Sequence, residues 1–373
     1  MFKSTLSLGR ILGIQVGFHY SWLIIFLLMT LSLNAYFTET HEDWAVGVPL
    51  VTAVVTSLLF FSSIVLHELG HSVIAMSRGI RVRSITLFIF GGMAETEKEA
   101  DSPASEFWIA IAGPVVSFIL AALFYLLFRI FGPFSEAVAE ACRWLASINL
   151  VLAVFNLLPG FPLDGGRVFR ALIWRLSGDA GTGMRWAVAA GRMVAYGLVV
   201  LGLVTMLRTG QILNGVWLMA IGLFLLTAAE ASGTAYGLTQ VLKGIKAEDV
   251  MRADVPIVSG DMKVVEWLDK HVLRSADRAY LVGEQNSIRG IVTLSDCKQL
   301  PAEQWPRTDL RQVMTPVDEL RTVDADSDVE AVLRLMTEHS LNQVPVMDSG
   351  VVVGWIDRDR LLKIIRLHAE AGK

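Results

Sequence analysis

The sequence predicts a polytopic α-helical membrane protein of about six spans with a membrane-associated β element, followed by a soluble α/β region built as a tandem repeat. Three observations lead there. Residues 1–236 hold only 14 Lys/Arg and 14 Asp/Glu, whereas the shorter stretch 237–373 holds 18 and 22. Long uncharged apolar runs are confined to the first part. The second part repeats a β-α-β-β-α pattern twice. The whole chain is 53% hydrophobic and 18% charged, well away from the ~25% charged residues of an ordinary soluble domain. With a net charge of −4 and no basic stretch, direct nucleic-acid binding is excluded as a function class. Cys142 and Cys297 lie one in each part, so neither a disulfide framework nor a cysteine zinc site is available.

The candidate spans are Ser21–Phe37, Trp44–Leu66, Phe107–Phe128, Trp144–Leu163, Met193–Leu207 and Gln211–Ala229, most of them near the ~20 residues that hydrocarbon requires. The first is not read as a cleaved signal peptide, because more spans follow and Asn34-Ala35-Tyr36 is a poor cleavage site. An even count places both termini on one side. With cytoplasmic termini, the inner segments carry Lys3, Arg10, Arg78, Arg81, Arg83, Lys98, Arg167, Arg170, Arg175 and Arg185, and the outer loops only Arg129, Arg143 and Arg208. The positive-inside bias therefore favours a multi-pass cell-membrane protein with cytoplasmic N- and C-termini.

Two segments resist a helical reading. Gly79–Glu95 alternates Arg81, Arg83 and Ser84 with Val82 and Ile85 before Gly91-Gly92, which suggests a hairpin; an ordinary interfacial loop is the alternative. Asn156–Gly166, NLLPGFPLDGG, breaks the helix at or near membrane depth, where such backbone must be buried in protein or line a wet cavity.

His67-Glu68-Leu69-Gly70-His71 closes the second apolar run. On a helix the two histidines share a face and can bind one zinc ion per chain, with Glu68 beside them as general base. Ionisable residues at membrane depth are costly and usually functional. A hydrolytic zinc needs a third protein ligand. Asp164, the only acidic residue between Glu140 and Asp179, fits that need; helix capping is its other reading. Asn156 is a candidate hydrogen-bond donor to a developing oxyanion, with Asn149 its rival and helix–helix bonding the plainer role. Gly113 and Ser117 read as a close-packing pair rather than as chemistry. His19 is expected at the entry to the first span, His41 in an acidic outer loop, and His271, His339 and His368 in solvent.

HELGH, the GGMAE stretch and NLLPGFPLDGGR together resemble the site-2 protease family of intramembrane zinc metalloproteases, over about residues 10–235. The resemblance implies that His67, His71 and Asp164 bind zinc, that Glu68 activates water, and that Asn156 assists at the substrate or oxyanion. It also implies that Gly79–Glu95 is a membrane-reentrant β element near the substrate. The expected activity is cleavage of transmembrane helices of tethered substrates within the lipid bilayer, such as a membrane-tethered anti-sigma factor or transcription regulator. A CBS-regulated membrane transporter or channel is the alternative, and it leaves H-E-x-x-H with Asp164 unexplained.

In the second part, Ala247–Met251 matches Leu310–Met314, and each is followed by an amphipathic helix (Lys263–Leu273; Asp328–His339) and two β runs (Ala279–Val282 and Ile288–Leu294; Gln343–Met347 and Val351–Ile356). These units resemble tandem CBS domains, which often bind adenine nucleotides. The ribose-binding pattern reads Gly290, Thr293, Asp296 in the first copy; in the second, Asp357 and Arg360 replace the Thr and the Asp. One nucleotide site at Thr293 and Asp296 is the expectation, a ligand-free dimerisation module its alternative. The expected organisation is a membrane-embedded protease domain at 1–235, a linker at 236–246, and CBS domains at 247–303 and 309–369, with a homodimer formed through the CBS pair.

Overall fold

The structure is a computed structural model; it describes residues 6–371 except 90, 275, 276, 278, 285, 286, 299 and 340, without the side chains of 287 and 365–371. Lys3 and the His368 side chain thus lie outside the described residues. Two compact units emerge, Met1–Thr234 and Ala235–Lys373.

The first unit opens with a hairpin, β1 (Leu6–Ile11) and β2 (Ile14–Phe18), then α1 (Ser21–Thr40) and α2 (Val48–Ser77). A second hairpin, β3 (Val82–Phe88) and β4 (Gly91–Thr96), precedes α3 (Pro103–Phe131), α4 (Glu136–Asn156), α5 (Asp164–Ser177), α6 (Ala180–Thr209) and α7 (Ile212–Leu242). Among the described residues, α1, α2, α3, α4, α6 and α7 are the helices long and apolar enough to cross a membrane. Their limits differ from the charge-free runs. Helix α4 starts at Glu136 and α6 at Ala180, because charged residues at a helix end reach the headgroup region and need not stop the helix. Helix α4 also ends at Asn156, short of Leu163, where Pro159 and Pro162 cannot continue it.

Gly79–Glu95 does form a hairpin, but within a larger sheet. The strand order is β1-β2-β3-β4. The outer pairs are antiparallel, and β2 runs parallel to β3 from Gln15↔Ser84 to Phe18↔Leu87. A parallel pair needs a crossover connection, supplied here by α1 and α2. Ile14, Val82 and Ile85 bury one sheet face against Leu69 and Ala75 of α2 and Ile109 of α3. The sheet is therefore fixed to the helix that carries H-E-x-x-H, and β4 and β1 are its edges.

The second unit repeats one motif. Helix α8 (Ala247–Val250) leads to β5 (Ile257–Val258), α9 (Val264–Trp267), β6 (Ala279–Glu284), β7 (Ser287–Thr293) and α10 (Leu294–Cys297). Then follow β8 (Thr315–Pro316), β9 (Val323–Asp324), α11 (Val329–Glu338), β10 (Gln343–Asp348), β11 (Val351–Asp357) and α12 (Arg358–Ala371). The sheets are ordered β5-β6-β7-β8 and β11-β10-β9. The cores interleave relative to the sequence repeat. Ala247 and Val250 pack among Val332, Met336, Val346 and Ile356 of the second copy. Leu310 packs among Trp267, Tyr280 and Val292 of the first. Arg252 exchanges backbone hydrogen bonds with Trp355 at 2.8 and 3.1 Å, while β8 pairs with β7 at Gly290 and Ile291. Each repeat thus opens with a segment that completes the other's core.

Candidate metal centre

Helix α2 presents His67 and His71 one turn apart, both buried, their ring centroids 4.9 Å apart. Asp164 reaches them from 97 residues away as the first residue of α5. Its Oδ2 lies 3.2 Å from Nε2 of His67 and 3.2 Å from Nε2 of His71. The two Nε2 atoms are themselves 3.2 Å apart. Asp164 does not cap α5; Leu163 occupies the cap position, leaving the carboxylate to the imidazoles.

Helix α3 sets the far side of each ring. His71 Nδ1 donates to the Ile109 carbonyl at 2.7 Å, and His67 Nδ1 lies 2.8 Å from Ser117 Oγ. Between them sits Gly113, where a Cβ would stand 2.2 Å from His71 Nε2 and 2.6 Å from His67 Nε2. The Gly113/Ser117 pair, expected to serve helix packing, is part of the site: it leaves room for both rings and gives one of them a polar partner. Sequence spacing on α3 carried no sign of this, because small residues four apart also suit plain helix contact.

Asp164 is steadied by a second device that sequence reasoning missed. Arg170, six residues further along α5, bonds Glu106 Oε1 and Glu99 Oε2, each at 3.1 Å. Arg170 and Glu106 are 7% and 2% exposed, so the pair ties α5 to α3 through a charge-assisted hydrogen bond shielded from solvent. The broken segment before α5 docks on α6 through Phe161 N–H donating to the Ala187 carbonyl at 3.1 Å. That contact meets the demand for buried irregular backbone.

Glu68 is part-buried beside the histidines. Strand β4 crosses it closely: a Cβ on Gly92 would lie 2.5 Å from Glu68 Cγ. Asn156, at the end of α4, is half-buried, and its side chain makes no hydrogen bond among the described residues. Asn149 is fully buried and bonds Leu145 O at 2.9 Å and Ser63 Oγ of α2 at 3.4 Å, a helix-packing role. His19 is buried against Ser21 at 2.8 Å. His41 stacks on Trp44 and pairs with Glu136 at 3.3 Å. His41, Asp43 and Glu136 form a second, more exposed cluster. His339 is exposed, while His271 leans on Tyr280 at 5.8 Å. In the second unit, Thr293 N and Oγ1 both donate to Asp296 Oδ2 at 2.8 Å, forming the capping box of α10. Burial pushes the neighbouring Cys297 thiol up to about 11, so it stays protonated and unreactive.

The donor set fits zinc. His71 Nδ1 must carry the proton toward a carbonyl, so in the neutral ring the Nε2 lone pair points into the centre. Nitrogen and carboxylate lone pairs facing one another at 3.2 Å repel unless a ring proton or a cation lies between them, and a cation at the centre serves all three at once. A tetrahedral zinc with ligands at ~2.0–2.1 Å keeps its ligand atoms roughly 3.3 Å apart, close to the observed triangle.

Residues 55–142 and 132–201 match the model of peptidase family M50, and residues 247–303 and 310–367 match the CBS domain. A relative from Synechocystis sp., named as a zinc metalloprotease, is 32% identical over 98% of this chain and 97% of its own length. Rip3 of Mycobacterium tuberculosis, likewise named as a zinc metalloprotease, is 33% identical over 98% of this chain and 94% of its own. The solved site-2 protease of Methanocaldococcus jannaschii is 29% identical, covering 61% of this chain and 94% of its own, with a TM-score of 0.42.

Proposed function

The chain belongs to peptidase family M50, the site-2 proteases, a zinc-dependent intramembrane protease with a CBS pair; from that premise we propose that His67, His71 and Asp164 hold its zinc, that Glu68 is the base, and that the scissile bond lies in a substrate's membrane-spanning segment. The observation that carries this reading is the triangle of donor atoms, 3.2 Å on each side, with Glu68 next to it in the chain. Zinc bound there supplies Lewis acidity, which makes water at the site a stronger acid near neutral pH. The Glu68 carboxylate takes the proton of the attacking water and delivers it to the leaving amine nitrogen. The side-chain N–H of Asn156, which makes no hydrogen bond among the described residues, donates to the developing oxyanion.

A substrate helix hides its carbonyls in its own hydrogen bonds and must unwind first. Strand β4 is a sheet edge whose Gly92 lies against Glu68, and this supports capture of the unwound segment as an added strand. The chain's membrane substrates, on this reading, are tethered regulators such as an anti-sigma factor or a transcription regulator. Basic residues gathered between the spans at one end favour cytoplasmic termini. The histidines sit in the second half of α2, so cleavage falls nearer the cytoplasmic side.

The CBS pair, on the same reading, dimerises and takes one adenine nucleotide at Thr293 and Asp296, which modulates cleavage. The asymmetry of the copies supports one site. Where the first copy carries Thr293 and Asp296, the second carries Asp357, which accepts from Gln343 at 2.7 Å, and Arg360, which donates to Val250 O at 3.2 Å. Metal analysis of the purified protein beside proteolysis of a membrane-embedded model substrate tests the whole. Zinc at one per chain with cleavage is expected, and Asp164→Asn should lose both. Wild-type zinc content and cleavage in that variant would remove Asp164 from the centre.

A further inference from the structure

The two candidate zinc ligands on α2 are not held alike. His71 Nδ1 faces a backbone carbonyl at 2.7 Å, and a carbonyl only accepts. That ring has one neutral tautomer available, with Nε2 bare. His67 Nδ1 faces the Ser117 hydroxyl at 2.8 Å, and a hydroxyl either donates or accepts. Two arrangements are therefore open to His67 without moving a heavy atom. If Ser117 donates to Nδ1, the proton sits on Nε2 and points at Asp164 Oδ2, 3.2 Å away; the ring then satisfies the carboxylate but offers no ligand. If Ser117 accepts from Nδ1, Nε2 is free to bind metal.

We propose that Ser117 is a positioning residue whose rotatable hydroxyl selects the tautomer of His67 and thereby sets the zinc affinity of the centre. The inference rests on the zinc reading above and adds to it the switchable partner. Ser117 is fully buried on α3, and no solvent reaches in to replace it. When the hydroxyl is removed, the ligating tautomer must bury an Nδ1–H with no acceptor, whereas the closed tautomer keeps its Nε2–H bond to Asp164. The balance then moves against metal. A plain packing role predicts the opposite pattern, because Ala at this position changes helix contact slightly and leaves the metal affinity alone.

The experiment is competition between the purified full-length protein and a zinc chelator, beside thermal melting of the metal-free protein. Ser117→Ala is expected to lose about 10- to 100-fold in zinc affinity, the usual effect of deleting a partner of a metal-ligating histidine, with the metal-free melting point little changed. Ser117→Thr, which keeps the hydroxyl, should stay close to wild type. Histidine ¹⁵N spectra should place the His67 proton on Nε2 in the metal-free protein and on Nδ1 after zinc is added. Wild-type zinc affinity in Ser117→Ala would overturn the proposal. So would metal-free spectra that already show Nδ1–H. Should Ser117→Ala fail to fold, Ser117→Cys decides: its weak acceptor should cost affinity measurably, and parity with wild type would refute the role. A wild-type protein that binds no zinc, or His67→Ala binding as tightly as wild type, would instead refute the zinc reading itself.

Discussion

Replacing Gly113 by Ala perturbs the centre without touching a ligand or a charge. A Cβ there would stand 2.2 Å from His71 Nε2, 2.5 Å from its Cε1 and 2.6 Å from His67 Nε2, where ordinary contact begins at 3.4 Å. The rings cannot simply retreat, because their Nδ1 atoms are tied at 2.7 and 2.8 Å to Ile109 and Ser117 on the same helix that bears the new methyl. Relief requires rotating the imidazoles off those partners. Each buried N–H left unpaired costs about 1–3 kcal/mol, so the two rings together lose roughly 2–6 kcal/mol of ligating geometry. At about 1.4 kcal/mol per decade, zinc affinity should fall by roughly 30-fold to 10⁴-fold. Chelator competition on monodisperse, purified Gly113→Ala measures this directly, with cleavage followed in parallel. Wild-type zinc affinity in this variant would show that α3 does not confine the rings as described, and the account of how the site is shaped would fail.

Gly92→Ala should behave differently: the three atoms nearest its Cβ all belong to Glu68, with Cγ at 2.5 Å, so zinc content should hold while cleavage falls, and equal loss of zinc would contradict the placement of β4. Glu106→Ala should destabilise the membrane unit by about 1.5–3 kcal/mol, the worth of a hydrogen bond to a charged group, because buried Arg170 loses its Glu106 partner at 3.1 Å; this is read as a lower denaturant midpoint, and an unchanged midpoint would mean the pair does not tie α5 to α3. Calorimetric titration with ATP, ADP and AMP should find one site per chain, lost in Thr293→Ala/Asp296→Ala, and saturating nucleotide should shift cleavage about several-fold, as ~1–3 kcal/mol of coupling allows. Two equal sites, or binding that survives the double substitution, would refute the one-site reading.

Much of this was legible in the sequence because membrane depth makes ionisable residues conspicuous. His67, Glu68, His71 and Asp164 stood out against uncharged runs, and the structure draws His67, His71 and Asp164 together over 97 residues with Glu68 adjacent. The helix-breaking NLLPGFPLDGG stretch announced its own irregularity. Less legible were features whose residues have a plain local explanation. The strands Leu6–Ile11 and Ile14–Phe18 are short, contain Gly9 and Gly17 and turn at Gly13, and the second strand's partner at Val82–Phe88 is reached only through two helices. Gly113 and Ser117 look like a packing motif until α2 is set beside them. The pairing of Glu106 with Arg170, 64 residues apart, depends on how α5 folds back on α3, and the sequence carries no sign of that. The interleaving of the CBS cores was hidden because the repeat is regular in sequence while its opening segments cross over in space.

The most direct test of the central claim is Glu68→Gln, assayed for zinc by metal analysis and for cleavage of a membrane-embedded model substrate. The substitution spares His67, His71 and Asp164 and removes only the group that accepts the water's proton, a contribution of typically 10²–10⁴-fold. The account predicts one zinc per chain, as in wild type, with cleavage reduced by at least about two orders of magnitude. Near-normal cleavage by a zinc-loaded Glu68→Gln protein would contradict it.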